Sequence, residues 1–288
     1  MTLSAAQVEG ALLPGSTLDA EGHHYDYALT GPDDGPVLLM AAGLSMHRIE
    51  WWPELLLALH GRGIRTLTAD NRDAGLSRAA EPEAEVGLPG MADDLLRLTA
   101  ALGIGRMHVL GFSMGGMIAQ HLALRSPERV LSLTSLMSTS GAREVGRPQQ
   151  QCHWIFTEAE PAHDRAAYLD YALRYHRATV APAEIDEERA LLVAGWVFDR
   201  GIRPEGTRRQ LAAIRADGDR SERLATLRVP SLVIHGTADP MIDCSGGEAT
   251  AAAIPGARFV ALEGAGHSVA PARAEHVAGL IAEHVREA

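Results

Sequence analysis

Ser113 lies in the pentapeptide Gly111-Phe112-Ser113-Met114-Gly115, a spacing suited to nucleophilic attack on a carbonyl carbon. A serine between two glycines can be held in a sharp turn that pushes its hydroxyl out of the fold. A Cβ in place of either glycine would meet the neighbouring strand or helix. Serine is a weak nucleophile at neutral pH. It needs a base to take its proton and an acid to orient that base. His267, in Glu263-Gly264-Ala265-Gly266-His267, is the base this spacing offers, because the glycines let the loop turn its imidazole. Asp239, in His235-Gly236-Thr237-Ala238-Asp239-Pro240, is the acid, with Asp243, Asp70 and Asp73 as rivals. The chain has 13 histidines, so most must do something else. His235 is only four residues from Asp239 and is the weaker base. His108 falls inside a strand. His23, His24, His60, His163, His176, His276 and His284 read as surface or helix residues.

An acyl transfer also needs two N–H donors for the oxyanion. Met114 follows the nucleophile at a helix N-terminus, where the dipole favours negative charge. The second donor comes from Ala42-Gly43-Leu44-Ser45-Met46, with Leu44 preferred and Gly43 or Ser45 as alternatives.

Strands that end beside these residues must position them. Met107–Leu110 reads as a buried strand, and Gly116–Leu124 as the helix after the serine. Val37–Ala42 is a continuous apolar run, the mark of a strand covered on both faces. Further strands are expected over Tyr25–Leu29, Ile64–Ala69, Val130–Met137, Val229–Ile234 and Arg258–Leu262. Helices are expected over Trp52–His60, Met91–Leu102, Gly246–Ala253 and Ala272–Glu287. This alternation implies a mostly parallel, doubly wound α/β sheet. From Gly141 to Ala225 no buried strand is legible. Helices are expected there over Ala166–Tyr175, Ala183–Asp199 and Arg208–Ala216, with Trp154, Phe156, Trp196 and Phe198 among them. The expected organisation is a core of residues 1–140 and 226–288 and a helical cap of residues 141–225, lying over the strand ends where such sheets place their sites.

The 288 residues carry a net charge of −11, which argues against nucleic acid and against anionic lipid. No leader segment and no membrane-spanning run is legible. The short acidic stretch from Glu81 to Glu85 reads as a solvated loop. Cys152 and Cys244 are too few for a disulfide framework and read as small buried hydrophobes. A reducing cytoplasm is the expected compartment.

The Gly111–Gly116 elbow, the His235–Pro240 loop and the Gly264–His267 loop together resemble the α/β-hydrolase superfamily, over essentially the whole chain. Asp70–Ser77, Ser126–Leu133 and Arg209–Ile214 before Gly218-Asp219-Arg220 resemble the small carboxylesterases that include aclacinomycin methylesterase. The resemblance implies a serine esterase with a helical cap, acting on carboxylic esters without a cofactor. Many members begin the oxyanion loop with His-Gly; here it is Ala42-Gly43, which leaves the second donor open. Asp70–Ser77 reads as a hydrogen-bonded turn flanking the site, with Arg72 as a buried ion-pair partner. The expected activity is hydrolysis of a small or medium apolar ester through Ser113, His267 and Asp239. The same residues suit perhydrolysis, lactone opening, amide cleavage or C–C bond hydrolysis. A silent small-ligand receptor is the reading outside catalysis. The expected partner is a small-molecule ester, with no metal, nucleic acid or membrane, on a monomer or homodimer.

Overall fold

The apolar runs fold into one sheet, described in a computed structural model for residues 3–81 and 87–288. Its eight strands are β1 (Ser16–Ala20), β2 (His23–Thr30), β3 (Val37–Ala41), β4 (Arg65–Ala69), β5 (Met107–Phe112), β6 (Val130–Leu136), β7 (Ser231–Gly236) and β8 (Arg258–Leu262). Their order across the sheet is β1-β2-β4-β3-β5-β6-β7-β8. β2 runs antiparallel to β1 and β4, and every other pair is parallel. The helices are α1 (Ala5–Leu12), α2 (Pro53–His60), α3 (Leu88–Ala101), α4 (Met114–Arg125), α5 (Arg165–Thr179), α6 (Glu187–Arg200), α7 (Pro204–Asp217), α8 (Ser221–Leu224), α9 (Ser245–Ala253) and α10 (Pro271–Glu287).

Helices cover both faces, as the continuous apolar strands require. Alternate residues of β3 enter different cores, because successive side chains of a strand point to opposite faces. Leu38 and Met40 join Leu110, Ile234, Leu55 and Ile281 under α2 and α10. Leu39 and Ala41 join Val109, Leu133, Leu95 and Ile118 under α3 and α4. Pro53 opens α2, where its missing N–H costs nothing. Gly103, at φ 72°, takes the chain out of α3.

Four helices, α5 to α8, lie between Leu136 and Ser231, and no strand forms there among the described residues. α5 packs on α6, α7 reaches α3, and α8 lies against α4 and α9. α6 starts at Glu187 rather than near Ala183, because the Asp186 side chain caps it by accepting from Arg189 N at 3.0 Å. Of the acidic stretch, residues 82–85 lie outside the described residues. Among the described residues no helix is long and apolar enough to cross a membrane. Cys152 is buried as expected, whereas Cys244 is only half-buried at the start of α9. His284 departs from a surface reading. It is buried against β6, with Nε2 3.2 Å from Leu133 O.

The N-terminal helix and β1 had no counterpart in the periodicity. Their signals are local. Ser4 and Gln7 form a reciprocal capping box, with Ser4 N donating to Gln7 Oε1 at 2.9 Å. Arg48 then ties this helix to the sheet. Its Nη1 donates to Leu12 O at 3.0 Å and Pro14 O at 3.1 Å, while Nε pairs with Asp26 at 2.5 Å. Arg48 is buried, so its loss removes one of the two guanidinium partners of the desolvated Asp26 carboxylate and opens the carbonyls at the end of α1. Arg48→Leu is therefore expected to cost about 3 kcal/mol of unfolding free energy in urea titration. A loss below about 0.5 kcal/mol, the size of an ordinary surface change, would contradict this account.

Candidate active site

Ser113 joins β5 to α4 with φ 55° and ψ −122°. A side chain in that conformation costs on the order of 1–3 kcal/mol, so the surroundings must enforce it. They do so by contact. A Cβ on Gly115 would lie 2.0 Å from Ala41 O, and one on Gly111 would lie 2.0 Å from Gly115 O. One on Gly116 would lie 2.4 Å from Ser138 Cβ. Ser113 N donates to Leu136 O at 3.0 Å, which locks the turn to β6. The Ser113 hydroxyl has no hydrogen-bond partner among the described residues and lines a cavity of about 280 Å³.

His267 lines the same cavity, and Asp239 lies behind it. His267 Nδ1 is 2.6 Å from Asp239 Oδ2. An ionised carboxylate only accepts, so Nδ1 is a donor here and, in a neutral ring of this tautomer, Nε2 is the nitrogen with the free lone pair. Asp239 Oδ1 accepts from Met241 N at 2.8 Å and Ile242 N at 3.0 Å. Burial by itself would raise this carboxyl. The imidazolium charge available at His267, with hydrogen bonds from His235, His267 and Ile242, outweighs burial and holds it well below the usual carboxylate range. The rivals are engaged elsewhere. Asp243 accepts from Arg147 N and Ser245 N, and Asp73 pairs with Arg209. Asp70 accepts from Arg48 N at 2.6 Å and Leu76 N at 2.7 Å and pairs with Arg200 at 2.6 Å. His235 is buried beside Asp239 and donates from Nε2 to Ile242 O at 2.8 Å. Arg72 is a buried partner of Asp94, at 2.5 Å.

The loop after β3 faces the elbow. Gly43 packs so closely that a Cβ there would be 3.5 Å from Ser113 Cβ. Ser45 N donates to Gln210 Oε1 at 2.8 Å, and Gly43 N points at Met46 Sδ at 3.4 Å. Leu44 N has no hydrogen-bond partner among the described residues. Met114 N is the first amide of α4, so it has no carbonyl of its own helix to bond.

Aromatic rings build the wall around His267. Phe112 stands 4.8 Å from it centroid to centroid, and Trp52 meets Phe112 edge-on at 4.9 Å. Helices between β6 and β7 bond to both the His267 loop and the loop after β3. Thr179 O, at the end of α5, accepts from His267 N at 2.8 Å. Gln210 on α7 holds Ser45, and its Nε2 donates to Arg72 O at 2.7 Å. Trp154 stacks under Arg174, and Trp196 and Phe198 pack on the core. The insertion's cavity rings are instead Tyr168, Tyr171 and Tyr175. Sequence reading missed these tyrosines, along with Gln210, Glu50 and Glu160. Only the tyrosines had a signal, a spacing of three and four that puts them on one helix face.

A family model described as alpha/beta hydrolase fold matches residues 36–271. The chain is similar to rhodomycin D methylesterase DauP of Streptomyces sp. (strain C5), at 30% identity over 89% of this chain and 93% of that protein. Rhodomycin D methylesterase DnrP of Streptomyces peucetius is 29% identical, over 90% and 94% of the two chains. Among solved structures, a hydrolase from Pseudomonas aeruginosa PA01 superposes with a TM-score of 0.71 at 27% identity, covering 94% of this chain and 98% of that one. The enol-lactonase from Burkholderia xenovorans LB400 gives 0.73 at 24% identity, covering 94% and 100%.

The glycine contacts carry a direct expectation. Gly115→Ala must push Ala41 or α4 aside. It is expected to destabilise the protein by roughly 2 kcal/mol or more in denaturant titration. Unchanged stability would mean that the elbow is not held by this contact.

Proposed function

The chain belongs to the alpha/beta hydrolase family, and on that footing we propose that it is a serine carboxylesterase working through an acyl-enzyme. The reading is carried by the 2.6 Å contact of Asp239 with His267 behind a cavity that Ser113 and His267 both line. The methylesterase names of two relatives support ester over amide as the bond cleaved.

Ser113 Oγ attacks the acyl carbon as His267 Nε2 takes its proton. Asp239 keeps the imidazole in the right tautomer and offsets the charge it gains. The oxyanion that forms is held by Met114 N and Leu44 N, for which no partner is found among the described residues. His267 returns the proton to the leaving alcohol. Water then attacks the acyl-enzyme with His267 as base, and Ser113 is freed. Hydrolysis by this route needs neither metal nor cofactor. For this step Ser113 Oγ must come within hydrogen-bond reach of His267 Nε2, a contact that in such sites often forms only with substrate bound. Residues 141–225 act as a cap over the strand ends, and their apolar and aromatic wall favours a small or medium, largely apolar ester.

A burst of 4-nitrophenol from 4-nitrophenyl acetate tests the acyl-enzyme. Ser113→Ala is expected to abolish the burst and lower kcat by on the order of 10⁴-fold or more. Full activity in that variant would rule the mechanism out. Asp239→Asn is expected to lower kcat by about 10³- to 10⁴-fold with the fold intact, because it favours the wrong imidazole tautomer. A loss under tenfold would point to another acid.

A further inference from the structure

One wall of the cavity is more acidic and more aromatic than ester cleavage requires. Glu50, just before Trp51, and Glu160, just before α5, both line it. Among the described residues no Arg or Lys forms an ion pair with either. Glu50 Oε2 accepts only the backbone N–H of His47, at 2.6 Å, and Glu160 Oε2 accepts from the Thr207 hydroxyl at 2.7 Å. Arg189 pairs with Glu54, Arg200 with Asp26 and Asp70, and Arg209 with Asp73. Arg203 also lines the cavity; its Nη1 donates to Ser77 O, and among the described residues its Nη2 has no partner and it pairs with no carboxylate. Near the carboxyls, α5 presents Tyr168, Tyr171 and Tyr175 to the same cavity. Tyr168 and Tyr171 stack at 6.4 Å between centroids. Tyr168 is 7% exposed, and its hydroxyl has no hydrogen-bond partner among the described residues although it lines the cavity.

Half-buried carboxyls that form no ion pair, beside electron-rich rings, make surroundings that can hold an ammonium ion. We propose that this wall is a subsite for a cationic group of the substrate, so that the preferred ester bears an amine or quaternary ammonium remote from its scissile carbonyl. The proposal rests on the esterase reading and names the substrate class for it.

The protonation of Glu50 gives the subsite a signature. Burial pushes its carboxyl up to about 8; the His47 N–H and Arg200 oppose this, and Glu160 and Asp70 add to it. Burial also raises Glu160, against hydrogen bonds from Thr207 and Ser45. The other groups facing Glu50 add no positive charge at neutral pH. Burial and Arg200 hold His47 down at about 3, and Tyr168 and Tyr175 are held neutral, chiefly by burial. In the empty cavity Glu50 therefore keeps its proton at pH 7. A bound cation replaces that proton, so cation binding strengthens as pH rises through about 8 and is weaker below it.

The test compares two esters identical except for a trimethylammonium in one and a tert-butyl group in the other. With whole enzyme, kcat/KM is expected to favour the cationic ester about tenfold above pH ~8, with the ratio falling at lower pH. Glu50→Gln and Glu160→Gln are expected to bring the ratio toward one. Calorimetry with benzyltrimethylammonium in two buffers of different ionisation enthalpy gives a readout free of catalysis. Wild-type protein is expected to bind it with release of up to about one proton at pH ~7. A ratio of one at every pH, with the tert-butyl ester still cleaved, overturns the subsite and leaves the esterase reading standing. Binding with proton release but no cleavage of either ester overturns the esterase reading and keeps the subsite. No binding of the ammonium probe overturns the subsite.

Discussion

A single backbone turn constrains everything around the site. Ser113 leaves β5 in a left-handed conformation, and only glycine fits the space on either side of it. Gly111 pairs in register with Ala41 of β3, and Gly115 comes back against Ala41 O. That contact fixes where α4 starts and how close it runs to β3. The loop leaving β3 passes close to the turn, where a Cβ on Gly43 would fall 3.5 Å from Ser113 Cβ. The strain at Ser113 is sustained by the two cores that clamp β3 and β5 from both faces.

The helices between β6 and β7 complete the arrangement. They reach the loops around Ser113 and His267 through hydrogen bonds and ion pairs. Thr179 O takes the N–H of His267, Gln210 takes the N–H of Ser45, and Arg200 bridges Asp26 and Asp70. The His267 loop, the loop after β3 and the Asp70 turn are thus each bonded to a different helix between β6 and β7. A shift of α5 would carry His267 with it, and a shift of α7 would move the loop facing the elbow.

Much of this was legible in the sequence because its signals are local. Parallel strands buried on both faces write themselves as apolar runs, as in Val37–Ala41 and Ser231–Gly236. The elbow shows itself through glycines whose need is set by atoms within a few residues. The hairpin strand β1 did not show, since Ser16–Ala20 lies at a sheet edge and is largely exposed. The choice among the loop amides needed Gln210, which is 165 residues from Ser45 in sequence. The acidic wall needed Glu50 and Glu160 brought together from separate segments, and no spacing rule links them. Arg72 was legible as a buried ion-pair partner from its turn, yet its partner Asp94 stands on α3.

The most direct measurement is peptide mapping by mass spectrometry after inactivation with a fluorophosphonate. The account predicts one phosphonyl group per chain, carried on the Ser113 hydroxyl, with inactivation and labelling advancing together. Complete inactivation with the label on another residue, or an unlabelled protein that still cleaves esters, would contradict it.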